Sequence, residues 1–248
     1  MFLLDVGNSA LKWAVLERGA LTKHGRCRYD LRELQAQLDA SWGAVAKPPA
    51  AFVVSVGAPK VSKVVAEWME RHWGITPHFI VSSAERLGIR NAYVEPERLG
   101  ADRWVGMIAA YHKVGAAVCV VDCGTAITID AVSAKGDHLG GIIAPGLHLM
   151  RESLLKGTQG IHLRKRYSGQ VALLARDTEG GVNGGTLYAV VALIDRVLAD
   201  VSETLGKNVK YVITGGDAPQ ILPLLAHDFI YESDLVLQGL ALIATEHK

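Results

Sequence analysis

The sequence predicts an α/β fold built from two related halves in tandem. Three observations predict it: an Asp-x-Gly turn between apolar runs that occurs twice, a second motif that recurs in the same order, and strand-like segments alternating with helix-like ones. The chain has 248 residues, and at roughly 100–200 residues per domain this allows one large domain or two small ones. Hydrophobic residues make up 50% and charged residues 21%, which excludes a disordered or collagen-like chain.

The first element is the duplicated turn. Residues 2–15 read FLLDVGNSALKWAV and residues 119–132 read CVVDCGTAITIDAV. Each starts with a short apolar run that suits a buried strand, then gives Asp-x-Gly, a small polar residue and a β-rich segment. Aligned without gaps, Asp5 matches Asp122, Gly7 matches Gly124 and Asn8 matches Thr125. Each copy is expected to be a β-hairpin with an acid and a glycine at its turn. The second echo is VVSVGAP at 53–59 and VITGGDAP at 212–219. Each is a buried strand followed by Gly and by a Pro suited to a helix start.

The remaining elements follow from periodicity. Strands are expected at 51–56, 78–82, 118–122, 126–132 and 210–214. Helical spacing of apolar residues marks 61–73, 104–114 and 185–205. In the last of these, Leu187, Val190, Val191, Ile194, Val197, Leu198 and Val201 form one stripe. The domains are expected to be 1–115 and 116–248. Residues 133–182 show no counterpart in the first half; they are rich in Gly and hold Arg164-Lys165-Arg166, read as a solvated face.

Charge and cysteine usage exclude several functions. Twenty-six Lys+Arg against 25 Asp+Glu leave a net charge of +1, with no field that would recruit nucleic acid or a membrane surface. Three cysteines, Cys27, Cys119 and Cys123, cannot form a disulfide framework and lack the partners of a zinc set, so reduced thiols in a cytoplasm are expected. No signal-peptide core and no run of about 18 apolar residues is seen.

The chemistry of the turns points to phosphate. A polyphosphate needs backbone N–H groups that approach closely, short hydroxyl or amide donors, and a carboxylate for a metal ion or its water shell. Asp5-Val6-Gly7-Asn8-Ser9 supplies all three, and Asp122-Cys123-Gly124-Thr125-Ala126 repeats them. Lys12 adds a cation able to reach a transferring phosphoryl group. Thr214-Gly215-Gly216-Asp217 is placed at the carboxyl end of a strand, where α/β sheets bind ligands. A single Asp-x-Gly-Asn is ordinarily a plain hairpin turn; its duplication favours a pair gripping one nucleotide. No Walker loop or Rossmann glycine fingerprint is present. A second constellation joins Tyr93 to Leu99-Gly100-Ala101-Asp102-Arg103-Trp104. Asp102 precedes an apolar helical stretch, so it reads as an N-cap, as a base for an acceptor hydroxyl, or as both. Arg103 suits an anionic or amide-rich acceptor.

These motifs together resemble the type III pantothenate kinase family. The resemblance rests on Asp5 to Ser9, Gly100-Ala101-Asp102-Arg103-Trp104, Asp122 to Ala126, Gly140-Gly141-Ile142-Ile143-Ala144-Pro145-Gly146 and Thr214 to Asp217, all in this order. It implies two tandem ribonuclease-H-like domains of the actin-like ATPase and sugar kinase superfamily, flanking a nucleotide cleft. It also implies ATP-dependent phosphorylation of pantothenate to 4′-phosphopantothenate, the entry to coenzyme A synthesis, by a homodimer using Mg²⁺ and a monovalent cation, K⁺ or NH₄⁺.

By the same resemblance, Asp5, Val6, Gly7, Asn8, Ser9, Ala10, Leu11 and Lys12 form the first phosphate motif, and Thr125 belongs to the second. Asp102 is the proton acceptor. Tyr93, Gly100, Ala101, Asp102 and Arg103 form the pantothenate site, Thr186 is a further substrate contact, and Asp122 holds the monovalent cation. Apart from the resemblance, Gly140-Gly141 and Pro145-Gly146 read either as shaping a loop that closes the cleft or as plain turn chemistry. The rival functions are another small-molecule kinase or phosphatase of the superfamily, a chaperone-type ATPase, and a transcription accessory factor.

Overall fold

The computed structural model describes residues 1–161, 174–206 and 208–246. Arg164-Lys165-Arg166 lies outside the described residues. The chain divides into two compact units. The first comprises Met1–Gly115, Gly136–His138 and Asp234–Lys248; the second comprises Ala116–Lys135 and Leu139–Ser233.

In the first unit the order is β1 (Phe2–Val6), β2 (Ala10–Glu17), β3 (Ala20–Arg28), α1 (Leu34–Trp42), β4 (Ala51–Ser55), α2 (Pro59–Trp73), β5 (His78–Ile80), β6 (Glu85–Arg86), β7 (Ile89–Arg90) and α3 (Ala101–Val114). The second unit runs β8 (Val118–Cys123), β9 (Ala126–Val132), β10 (His138–Pro145, whose first residue falls in the first unit), α4 (Leu147–Gly157), α5 (Thr178–Leu205), β11 (Lys210–Thr214), α6 (Ala218–Ile221) and β12 (Phe229–Tyr231). Helix α7 (Leu235–Glu246) closes the chain.

Each unit carries a five-stranded sheet, ordered β3-β2-β1-β4-β5 in the first and β10-β9-β8-β11-β12 in the second. Strands β1 and β8 hold the same place. Each pairs antiparallel with the next strand of its hairpin and parallel with β4 or β11. The duplication therefore reaches further than the sequence reading allowed. Residues 138–145 form the third strand of the second sheet, the counterpart of β3. Pairwise identity there is lost because β10 and β3 each carry five exposed positions, and solvent-facing strands share little beyond alternation.

Strand β1 lies inside its sheet, and Phe2, Leu3, Leu4 and Val6 are all fully buried. A strand covered on both faces reads as a continuous apolar run. Phe2, Leu4 and Val6 face a core shared with α1 and α2, where Trp13, Trp42, Trp68 and Trp73 gather. The ring of Trp42 meets Phe2, Trp13 and Trp68 edge-on at 5.2–5.9 Å, the favoured aromatic geometry. The Trp13 ring lies across its cross-strand partner Gly25, where a Cβ would come within 2.1 Å of it. Helix α2 starts on Pro59 and stops at Gly74, whose φ of 59° is the left-handed cap conformation.

Helix α7, which the sequence reading assigned to the second half, belongs with the first unit. Leu235, Leu237, Leu240 and Ile243 are buried, and Gly239 lets α7 approach α3 so closely that a Cβ would lie 2.2 Å from the Val105 carbonyl oxygen.

The second core packs α5 against its sheet through Leu187, Val190, Ile194 and Leu198, with Val191, Val197 and Val201 partly buried. This is the stripe read from the sequence. The helix starts seven residues earlier than expected, at Thr178, because Asp177 caps it by accepting from the Gly180 amide at 2.7 Å. Its 28 residues are long and apolar enough to cross a membrane, yet half of the apolar window is buried in this core.

Candidate active site

The two Asp-Gly turns fold as hairpins and differ by one residue. In the first, Val6 pairs with Leu11 and Asp5 with Lys12, leaving Gly7, Asn8 and Ser9 in the turn. In the second, Cys123 pairs with Ile127 and Asp122 with Thr128, leaving only Gly124 and Thr125. The ungapped match of Asn8 with Thr125 therefore holds at the turn but slips beyond it, and the structural counterpart of Lys12 is Thr128. A slip of one residue reverses every side chain on a strand.

The first turn is fixed by hydrogen bonds from three directions. Gly7 donates to the Ala10 carbonyl at 3.0 Å, and the amides of Val56 and Gly57 reach the Val6 carbonyl at 3.0 and 3.2 Å. The Tyr29 hydroxyl lies 2.8 Å from the Gly7 carbonyl and 3.1 Å from that of Asn8. Asn8 and Ser9 stay exposed, and Asp5, Lys12 and Arg26 lie in one cross-strand row. Ala10 and Leu11 open β2, with Leu11 fully buried beneath the turn.

In the second unit Gly124 donates to Ala126 at 3.1 Å, Asp217 to the Cys123 carbonyl at 2.9 Å, and Gly146 to the Thr125 carbonyl at 3.0 Å. The second motif of each half thus backs the turn of its own half. Gly215 has φ of 101°, and a Cβ there would stand 2.4 Å from Cys123 backbone and 2.5 Å from Asp122 Oδ1. At Gly146 a Cβ would meet the Gly124 carbonyl at 2.4 Å. These two positions require glycine. Gly140, Gly141 and Pro145 lie within β10 rather than in the closing loop or plain turn read from the sequence; Gly140 takes its positive φ of 106° inside the strand. Burial pushes the Cys123 thiol well above its ordinary pKa, and Asp122 and Asp217 add to the effect.

Tyr93, Gly100, Ala101, Asp102 and Arg103 come together within the first unit. Gly100 is the N-cap of α3, and Asp102 sits inside the first turn, so the cap expected at Asp102 falls two residues earlier. Asp102 Oδ1 accepts from the Arg103 amide at 2.7 Å. An acid there complements the helix dipole. Arg103 is buried, and its Nη1 donates to the Tyr93 hydroxyl at 3.1 Å. Tyr93 is in turn held by Asn91, whose Oδ1 accepts from the Tyr93 amide at 3.0 Å while its Nδ2 donates to the carbonyls of Ser83 and Pro96, each at 3.2 Å. Ala101 and Gly100 are half-buried beside them.

Thr186 lies in the second unit on α5. Its hydroxyl faces the Val182 and Asn183 carbonyls at 2.9 and 3.1 Å and accepts from Arg151 Nε at 3.2 Å. It lines a cavity of about 500 Å³ with Met150, Leu154, Gly181, Val182 and Gly185. Burial lowers the Arg151 pKa while Asp217 opposes that shift.

Sequence reasoning missed Tyr29, Asn91 and Arg151. Asn91 had a local signal, an Asx-type turn two residues before Tyr93. Tyr29 and Arg151 act on partners 22 and 35 residues away, and no spacing rule reaches that far. Among the described residues no cluster of three or more His, Cys, Asp or Glu side chains could hold a metal.

Two sheets of identical order, each with an acid near the end of its first strand and a glycine turn after it, have the fold of the actin-like ATPases and sugar kinases. Solved structures agree on the fold. A structure from Campylobacter jejuni, titled as a Baf family transcriptional activator, superposes with a TM-score of 0.62 at 21% identity, covering 100% of this chain and 98% of the other. A Streptomyces griseus ROK family glucokinase in complex with glucose and AMPPNP gives 0.57 at 11% identity, covering 99% of each. The sequence pattern of the type III pantothenate kinases matches residues 1–200. A type III pantothenate kinase of Nitrosococcus oceani is 41% identical over 99% of this chain and 94% of its own, and one of Alcanivorax borkumensis is 35% identical over 100% of both. The chain belongs to the type III pantothenate kinase family.

Proposed function

We propose that this protein transfers the γ-phosphoryl group of ATP to the primary hydroxyl of pantothenate, giving 4′-phosphopantothenate and ADP, the first step of coenzyme A synthesis. The observation that carries this reading is the family match over nearly the whole chain. The residues at the candidate site supply the chemistry that the reaction needs.

Asp102 accepts the hydroxyl proton as the new phosphorus–oxygen bond forms and ADP leaves. Arg103 and Tyr93, already joined to each other, orient the acceptor. The turn from Asp5 to Lys12 presents amides, the Asn8 and Ser9 side chains and one ammonium to the phosphates, and Thr125 does the same from the second turn. The donor chemistry fits Mg²⁺: it is bound through one or two carboxylates, keeps several waters, and takes its other oxygens from phosphates. Asp5 is the carboxylate assigned to it. When bound, Mg²⁺ neutralises phosphate charge. Asp122, between the hydroxyl residues Thr128 and Thr214 in the strand register, is assigned to a monovalent cation, K⁺ or NH₄⁺. The protein is assigned to the cytoplasm as a homodimer, with no nucleic acid or membrane partner.

The test is ADP release coupled to pantothenate, with and without K⁺. ADP release that ignores pantothenate overturns the reading. Asp102→Asn is expected to lower kcat by roughly 10²–10⁴-fold and to leave ATP affinity within about three-fold by calorimetry. Near-normal turnover rejects Asp102 as the base.

A further inference from the structure

We propose that His138 is a positioning residue for the acceptor site, acting through Tyr93; this rests on the assignment of Tyr93 and Arg103 to pantothenate. His138 is 4% exposed and belongs to the first unit. Its segment is fastened to the strand that leads into the Tyr93 loop. The Arg90 amide donates to the Gly136 carbonyl at 2.8 Å, and Arg90 Nε donates to Asp137 Oδ1 at 2.7 Å. Arg90 and Asp137 form a parallel bridge. Two residues further on, the Ala92 amide turns to His138 Nδ1 at 3.4 Å. An amide can only donate, so Nδ1 is the accepting nitrogen.

The imidazole then lies nearly parallel to the Tyr93 ring, with centroids 6.1 Å apart and planes 17° apart. On the phenol, the hydroxyl accepts from Arg103, whose guanidinium carbon is 5.9 Å from the ring centre. His138, Tyr93 and Arg103 thus form a chain of contacts. Asn91 fixes the Tyr93 backbone from within the loop, and His138 fixes the preceding amide and one ring face. A side chain held on two sides keeps its rotamer when the substrate binds, which lowers the ordering cost of binding. The sequence gives no sign of this, because 45 residues separate Tyr93 from His138.

The test measures steady-state constants for both substrates. His138→Ala is expected to raise the KM for pantothenate about ten-fold, with kcat and the KM for ATP within about two-fold. His138→Asn keeps an acceptor near Nδ1 and loses the ring; His138→Phe keeps the ring and loses the acceptor. Each is expected to recover part of the loss, and both fill the site should the alanine variant not fold. In a Tyr93→Ala background, His138→Ala is expected to add less than two-fold. An unchanged pantothenate KM, an equal rise in both KM values, or full additivity with Tyr93→Ala overturns the proposal. Failure of the wild-type protein to use pantothenate sinks the underlying assignment instead, so the two failures are distinguishable.

Discussion

Single residues decide whether the second turn exists. Gly215 and Gly146 each leave room for a carbonyl that any Cβ would strike, so a glycine with no chemistry of its own sets the position of Asp122 and Thr125. Their neighbours Cys119 and Cys123 are fully buried thiols, and burial pushes both far above their ordinary value of 9.0. Here the folded state holds its protons more tightly than the unfolded chain. Their contribution to stability is therefore complete below about pH 9 and falls as pH rises above it. Between pH 8 and pH 10 the two together are expected to cost about 2–3 kcal/mol. Urea titrations at both pH values check this: Cys119→Ala combined with Cys123→Ala should shrink the alkaline loss by that amount. An equal loss in both proteins rejects it.

Among the elements, strands were the most legible and their partners the least. The apolar runs of β1, β4, β8 and β11 stand in the sequence because strands covered on both faces admit little else. The hairpins were legible too, since Gly and Asp at a turn carry their own mechanism. Strand β10 was not, because its exposed positions follow solvent and not a neighbour. The one-residue difference between the two turns was also hidden. Only pairing shows that Lys12 stands opposite Asp5 while Thr128 stands opposite Asp122, which gives the first hairpin a cation that the second lacks. Helix contact supplies a prediction at this scale. Gly239→Ala drives a methyl into the Val105 carbonyl and is expected to destabilise the protein by about 1–3 kcal/mol or more. Gly185→Ala, in the interior of α5 with nothing within 4 Å, is expected to stabilise α5 by about 0.5–1 kcal/mol. Denaturant midpoints of the two variants should move in opposite directions.

At the scale of the whole molecule, the five tryptophans Trp13, Trp42, Trp68, Trp73 and Trp104 all lie within the first unit. Tryptophan fluorescence therefore reports that unit alone, while far-ultraviolet dichroism reports both. A chain cut after Ser233 loses α7, and with it the buried Leu235, Leu237, Leu240 and Ile243. Its fluorescence transition is expected to move to lower denaturant by more than its dichroism transition; coincident shifts would show that the first unit does not depend on α7.

By itself, the sequence determined the class of fold and the two turns, because apolar runs and glycine turns act over a few residues and leave a local record. Only the tertiary structure decided where α7 belongs, why Gly215 and Gly146 cannot change, that Tyr29 pins the first turn, and which side chains hold Tyr93 and Thr186 in place. Those outcomes depend on groups tens of residues apart meeting within a few ångströms, and a linear spacing carries no trace of such meetings.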